Sequence, residues 1–267
     1  MKKLIFAAAV AAGMGAFALE SANVVGFQDK EITTGQWNCM TATFLPTGAA
    51  GTSMTLGDIK ANDTFAFGDD TLQTLNGNGG TLGQYTYCNE AMAEEFGFDV
   101  GWYNYEDVSN WDGESALVSC NNVSLPWGTM VIIQSSYEGA GLVYAGEVLA
   151  ENKELSITTG EWNMLGNATP VDLTLGDIAA NDTFAFGDDT LQTLNGNGGT
   201  LGQYTYCNEA MAAEFGFDVG WYNYEDVSNW DGESQLANQN SLPIPSGYGF
   251  VLQSSYEGAA IILPKAY

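Results

Sequence analysis

The sequence predicts an all-β protein: two tandem homologous β-sandwich or small-barrel domains, each with one short helix. Three observations lead there. Thr55–Ser115 and Thr174–Ser234 are one 61-residue block written twice at an offset of 119, differing only at Lys60/Ala179 and Glu94/Ala213. Within each copy, short runs rich in Thr, Val, Ile and aromatics are bounded by Gly, Asn and Asp turn signals. A single segment per copy carries both a helix start and a helix stop.

Taken in order, the chain opens on Met1-Lys2-Lys3, an apolar run from Leu4 to Phe17, and the small-x-small triplet Ala16-Phe17-Ala18. That is the pattern of a secretory leader, cut after about Ala18; the run is too short to span a bilayer. "ITTGQWN" at 32–38 returns as "ITTGEWN" at 157–163, with an offset of 125; extra loop material around Pro46–Ser53 accounts for the difference. Thr64–Phe67 reads as a short strand between turns. "TLQTL", "NGNGG" and "TLGQYTY" then read as a hairpin. Gly77, Gly79, Gly80 and Gly83 lack the helix that a phosphate loop needs after them, so they are assigned to the turn. Asn89 is an N-cap, Glu90 sits in the first turn, Met92 and Phe96 share a face, and Gly97 is the stop; the copy runs from Asn208 to Gly216. "GWYNYEDVSNWDG", at 101–113 and 220–232, reads as an aromatic, acidic strand. Alternation puts Trp102, Asn104 and Glu106 on one side and Tyr103, Tyr105 and Asp107 on the other. Val131–Ile133 and Phe250–Leu252 read as buried strands. Two further strand-like runs meet at Asn152-Lys153, giving a leader at 1–18, a first domain at 19–151 and a second at 152–267.

"SANVVGFQ", "ITTGQWNCM…TLGDIKAND", "GWYNYEDVSNWDGES" and "LPWG" before a closing strand together resemble a group of secreted two-repeat proteins of Verrucomicrobia-related Gram-negative bacteria. The resemblance covers essentially the whole chain after the leader. It implies export and a duplicated β-rich architecture, and it carries over no site residues.

Composition removes whole classes of chemistry. With 33 Asp and Glu against six Lys and Arg, the formal net charge is −27, and no residue is Arg or His. Such a chain repels nucleic acid, whose binding relies on Lys and Arg displacing counterions. Absence of His excludes histidine-based triads and HExxH zinc sites. Carboxylates are what remains for catalysis.

The aromatic-acidic stretches supply the candidate ligand residues: Trp102, Tyr105, Glu106, Trp111 and Asp112, with Trp221, Tyr224, Glu225, Trp230 and Asp231 in the copy. Flat rings suit the apolar faces of a pyranose and acids its polar rim, but aromatics also favour strands for packing alone. Asp69, Asp70, Asp188 and Asp189 are candidate hard-oxygen ligands for calcium, although Asx beside Gly commonly serves turns; no other cofactor is implied. Cys39 and Cys120 occur only in the first copy, where an exported protein is expected to pair them. Cys88 and Cys207 stand at equivalent positions, either as two buried thiols or as one disulfide between copies. The expected function is a non-catalytic, exported component of a surface, matrix or adhesion layer. Its expected partners are surface glycans or other surface proteins. Glycan binding through the duplicated stretches is the alternative, and a carboxylate glycosidase using Glu106 and Asp112 comes third.

Overall fold

A computed structural model describes residues 25–46 and 53–266. The segment expected to be a leader and most of the loop insertion lie outside the described residues. Strands of the first repeat are β1 (Val25–Glu31), β2 (Asn38–Thr41), β3 (Ser53–Thr55), β4 (Ile59–Ala61), β5 (Thr71–Leu75), β6 (Thr81–Cys88), β7 (Gly101–Asn104), β8 (Ser124–Pro126), β9 (Met130–Gln134) and β10 (Gly141–Glu147). Those of the second are β11 (Lys153–Ser156), β12 (Asn163–Gly166), β13 (Leu173–Thr174), β14 (Ala179–Ala180), β15 (Thr190–Leu194), β16 (Thr200–Cys207), β17 (Gly220–Asn223), β18 (Pro243–Ile244), β19 (Gly249–Gln253) and β20 (Ala260–Leu263).

The all-β class expected from the sequence is the one found, with small antiparallel sheets set in a four-blade propeller-like ring. The first repeat makes a five-stranded sheet, β2-β9-β5-β6-β7, and a three-stranded one, β1-β10-β4. The second repeats both orders as β12-β19-β15-β16-β17 and β11-β20-β14. The Asn76–Gly80 segment is the hairpin turn between β5 and β6, and Asn76 Oδ1 accepts from the Asn78 and Gly80 N–H groups at 2.9 and 3.0 Å. The helix Glu90–Phe96 has Asn89 as its side-chain cap and Gly97 in the left-handed region at φ 74°. No helix among the described residues is long and apolar enough to cross a membrane.

Two local expectations are corrected. Thr64–Phe67 forms turns rather than a strand. The Ala66 N–H donates to Asp70 Oδ2 at 2.9 Å and the Phe65 N–H to the Asn62 carbonyl at 3.1 Å, so polar brackets on both sides outweigh the β-prone composition. "GWYNYEDVS" is a strand only as far as Asn104; Tyr105–Ser109 is a second short helix. Asn104 accepts from the Glu106 and Asp107 N–H groups at 2.9 and 3.2 Å, and those two acids complement the positive end of the helix.

Trp102 anchors the core. It has no exposed surface, and its ring meets Phe65 edge-on at 5.7 Å and Tyr87 at 5.0 Å. Its indole N–H donates to the Ile59 carbonyl of β4 at 2.7 Å, tying the five-stranded sheet to the three-stranded one. Trp221 repeats this with Phe184, Tyr206 and the Ile178 carbonyl. Gly101 is required beside it: φ is 144°, and a Cβ would stand 2.2 Å from the Asn121 amide, whose Oδ1 accepts the Trp102 N–H.

The repeats meet through reciprocal contacts. The Trp37 N–H donates to the Gly196 carbonyl at 2.8 Å, and the Trp162 N–H to the Gly77 carbonyl at 2.6 Å. Isolated bridges Met40–Tyr248 and Thr129–Leu165 are likewise exchanged counterparts. Met130, Leu194 and Val251 fill the space between them with Cys39, Leu75 and Met164. The larger apolar core runs on through both repeats.

The predicted Cys39–Cys120 disulfide is absent: all four cysteines are free. Cys39 lies on β2, at one edge of the five-stranded sheet, whereas the Cys120 N–H bonds the Trp102 carbonyl beyond β7 at the other edge. Four strand spacings, about 19 Å, separate β2 from β7, against the roughly 7 Å limit between bridged Cα atoms. Cys88 and Cys207 are buried, and burial pushes the thiols of Cys39, Cys88 and Cys207 up to about 11.

Two outcomes follow from this packing. Trp102→Ala, read by denaturant unfolding, should cost about 3–5 kcal/mol through the cavity and the orphaned Ile59 carbonyl, while Trp102→Phe costs less. Thiol titration should count four free groups in denaturant and find Cys88 and Cys207 unreactive in the native chain; an intact mass short by two hydrogens would contradict the free thiols.

Candidate functional site

With Trp102 turned to the core, the alternation of β7 turns Tyr103 to the sheet's other face, where it is itself buried against Phe67 and Phe98, and Tyr105 follows at the edge of that face. The registers put Gln73 opposite Gln84, Thr71 opposite Gln134, and Thr86 opposite Tyr103 on that same face. A pocket of about 330 Å³ opens there, lined by Asp69, Gln84, Tyr105, Gln134 and Ser136 over Thr71. Its counterpart of about 290 Å³ has Asp188, Gln203, Tyr224, Gln253 and Ser255 over Thr190. Each residue type is the same in both.

Polar atoms converge on the pocket without being used up by the fold. Gln134 accepts from Gln73 at 3.2 Å, which leaves its own amide N–H₂ facing outward. The Gln84 amide, the Tyr105 hydroxyl and the Ser136 hydroxyl make no side-chain hydrogen bond among the described residues. Asp69 takes the Tyr137 hydroxyl on one oxygen at 2.9 Å and keeps the other. That bond, followed by the charge of Asp69, raises the Tyr137 phenol pKa. Directly beneath, the buried Asp70 carboxylate accepts from the Ala66 N–H, the Ser135 hydroxyl at 2.7 Å and the Ser136 N–H at 3.2 Å, which fixes the pocket floor. Asp189 makes the same three bonds in the second repeat.

The structure therefore distributes the sequence candidates among several roles. Tyr105 and Tyr224, with Asp69 and Asp188, line the two polar pockets. Asp70 and Asp189 have their oxygens occupied by protein donors, and among the described residues no group of three His, Cys, Asp or Glu side chains is placed to hold a metal ion. Trp102 and Trp221 belong to the core and have no face to offer a ligand.

Trp111 packs on Phe98 at 4.9 Å and Phe96 at 5.6 Å, beside a second cleft of about 350 Å³. Its N–H donates to the Ser115 carbonyl at 2.7 Å, and Trp230 does the same with Ser234. Glu106 and Glu225 are exposed in the first turns of their short helices. Asp112 closes its loop by accepting from the Glu114 N–H and from the Ser115 N–H and hydroxyl; Asp231 is its match. The twice-written stretch thus supplies a core anchor, a helix cap, a pocket wall and a loop clasp.

Gln84, Gln134 and Ser136, with Gln203, Gln253 and Ser255, were missed by the sequence reading. Their signal lay in the strands "TLQTL", "TLGQYTY" and "VIIQSSY", each of which places one glutamine on the outward phase. Comparison of the chain with protein-family models, curated proteins and solved structures gives no match.

The loop clasp has a pH signature. The Ser115 hydroxyl and then backbone N–H groups hold Asp112 down to about 2, and the backbone N–H of Ser234 leads the same effect on Asp231. A folded-state value below the unfolded one, about 3.9, favours the loop above that pH, and the benefit is lost as pH falls through about 2. Carboxyl-carbon NMR should find both groups titrating near 2; midpoints close to 4 would mean that the clasp is open in solution.

Proposed function

We propose that this protein is a non-catalytic component of an outer surface or matrix that binds neutral polyhydroxylated ligands, surface glycans above all, in its two equivalent outer-face pockets. The carrying observation is the convergence, twice, of unused amide, hydroxyl and carboxylate groups beside a tyrosine ring. A sugar needs that mixture: donors and acceptors for its hydroxyls, and a flat surface for its ring. One carboxylate with a free oxygen, Asp69 or Asp188, lines each pocket, whereas glycoside hydrolysis uses a pair. That contrast favours holding over cleaving.

The magnitudes suit a multivalent surface. A hexose has about 12 non-hydrogen atoms, and at about 0.3 kcal/mol per atom a single pocket gives roughly −3.6 kcal/mol, a Kd of a few mM. Two such pockets on one chain gain by avidity, by about 10²–10⁴, where the ligand itself repeats. An array of immobilised glycans should therefore retain the wild-type chain while free monosaccharides compete only at millimolar levels. Gln84→Ala with Gln203→Ala should abolish retention, and either change alone should reduce it steeply. Retention unaffected by the double change, or none on any glycan, would refute the assignment. Export is checked separately: cell fractionation should place the protein outside the inner membrane, and recovery wholly from cytoplasm would remove the surface role.

A further inference from the structure

The reciprocal junction between the repeats is symmetric in its backbone and asymmetric in its filling. At one junction the space beside Gly128 is closed by Leu155, with a methyl 2.9 Å from where a glycine Cβ would stand, and Trp127 is buried next to it. At the other, the counterparts are Gly247, Lys30 and Ser246; the Lys30 stem lies 3.6 Å from the same point. A cavity of about 410 Å³ is left open there, with Lys30, Gln36, Trp37, Asn195, Ser246 and Tyr248 among its walls. The closed junction is an apolar plug that leaves the Trp127 N–H buried without a partner. The open one replaces both plug residues by polar ones.

Lys30 is the unusual group. The chain has 33 acids, yet this half-buried ammonium has no ion pair or hydrogen bond among the described residues. Two acids face it. Glu31 lines the cavity rim, and Asp172, whose carboxylate accepts the Ser246 N–H at 2.9 Å, is near enough to favour the protonated amine without pairing with it. Partial burial of the amine works in the opposite direction and is the larger influence on its pKa. Around the cation stand the free amide of Gln36 and the partly exposed indole of Trp37. Ser246 is already bonded to the Thr169 carbonyl at 2.8 Å, and Tyr248 is bonded through its hydroxyl to Leu194, so those two walls are rigid.

We propose that this junction cavity is a binding site for a small organic carboxylate carrying hydroxyl groups, of the size and chemistry of a hexuronic acid. The Lys30 ammonium takes the carboxylate, the Gln36 and Asn195 amides take hydroxyls, and the Trp37 indole covers an apolar face of the ring. Among the described residues its counterpart at the other junction is filled by Leu155 and Trp127, so one site per chain is expected. It is separate from the two outer-face pockets and does not depend on them.

The test uses the full chain and calorimetric titration with glucuronate, galacturonate and glucose. Wild type should bind a uronate at one site per chain and prefer it to glucose by about tenfold or more, the worth of a charge-assisted hydrogen bond. Lys30→Met should remove that preference. Ser246→Trp, which installs the residue that the closed junction already accommodates, should abolish binding; thermal unfolding of each variant confirms its fold. Gln84→Ala with Gln203→Ala should leave uronate binding unchanged, which separates this site from the outer pockets. Absence of uronate binding by wild type, or a preference that survives Lys30→Met, would overturn the assignment.

Discussion

Everything on the outer face depends on one indole facing inward. The Trp102 N–H bond to the Ile59 carbonyl crosses from β7 to β4, and the ring fills the angle between the two sheets against Phe65 and Tyr87. Moving it outward would leave a buried carbonyl unpaired and a cavity the size of an indole. Because a strand has period two, that choice also decides its neighbours: Tyr103 is buried on the opposite face against Phe67 and Phe98, Asn104 is free to cap, and Tyr105 begins a helix at the pocket rim. Asn121 and Gly101 secure the register from behind, through a bond that no larger residue at 101 would permit.

The second constraint is the junction. Each repeat offers a hairpin turn and a β2-type edge, and each receives the other's, so exchanged contacts occur in pairs. Edge strands β2 and β12 are thereby covered rather than left for association with other chains. The backbone contacts are those of a two-fold symmetric pair within one chain, and the two junctions differ in their filling. Trp127 and Leu155 pack one side shut, while Ser246 and Lys30 leave the other hollow. The four thiols fit the same picture. Separation across the sheet and burial keep them as thiols, and Cys39 contributes to the junction as a small apolar side chain.

Much of the fold was legible locally. The Asn89–Gly97 helix and the Asn76–Gly80 hairpin are set by caps and turn residues whose bonds span only a few positions. The Tyr105–Ser109 helix was equally local, since Asn104 followed by Glu106 and Asp107 is a capping signal, but the aromatic content of the stretch drew the reading toward a strand. Thr64–Phe67 departs from its β-prone composition for a similar reason: the Asp70 bond that shapes it into turns reaches back four residues and outweighs that composition. The pocket residues Gln84 and Gln134 come from strands that are not neighbours in sequence, so the phase of each could be read but not their meeting.

The sequence by itself determined the duplication, the acidic and histidine-free chemistry, the all-β class and the turn and cap positions, because each of these depends on composition or on interactions across a few residues. Tertiary structure alone decided which aromatics are core and which are wall, that Cys39 and Cys120 stand a sheet's width apart, and that one junction is open while its twin is closed. Those outcomes depend on which face each strand buries and on which distant strand lies beside it, and both are settled by packing across the whole chain.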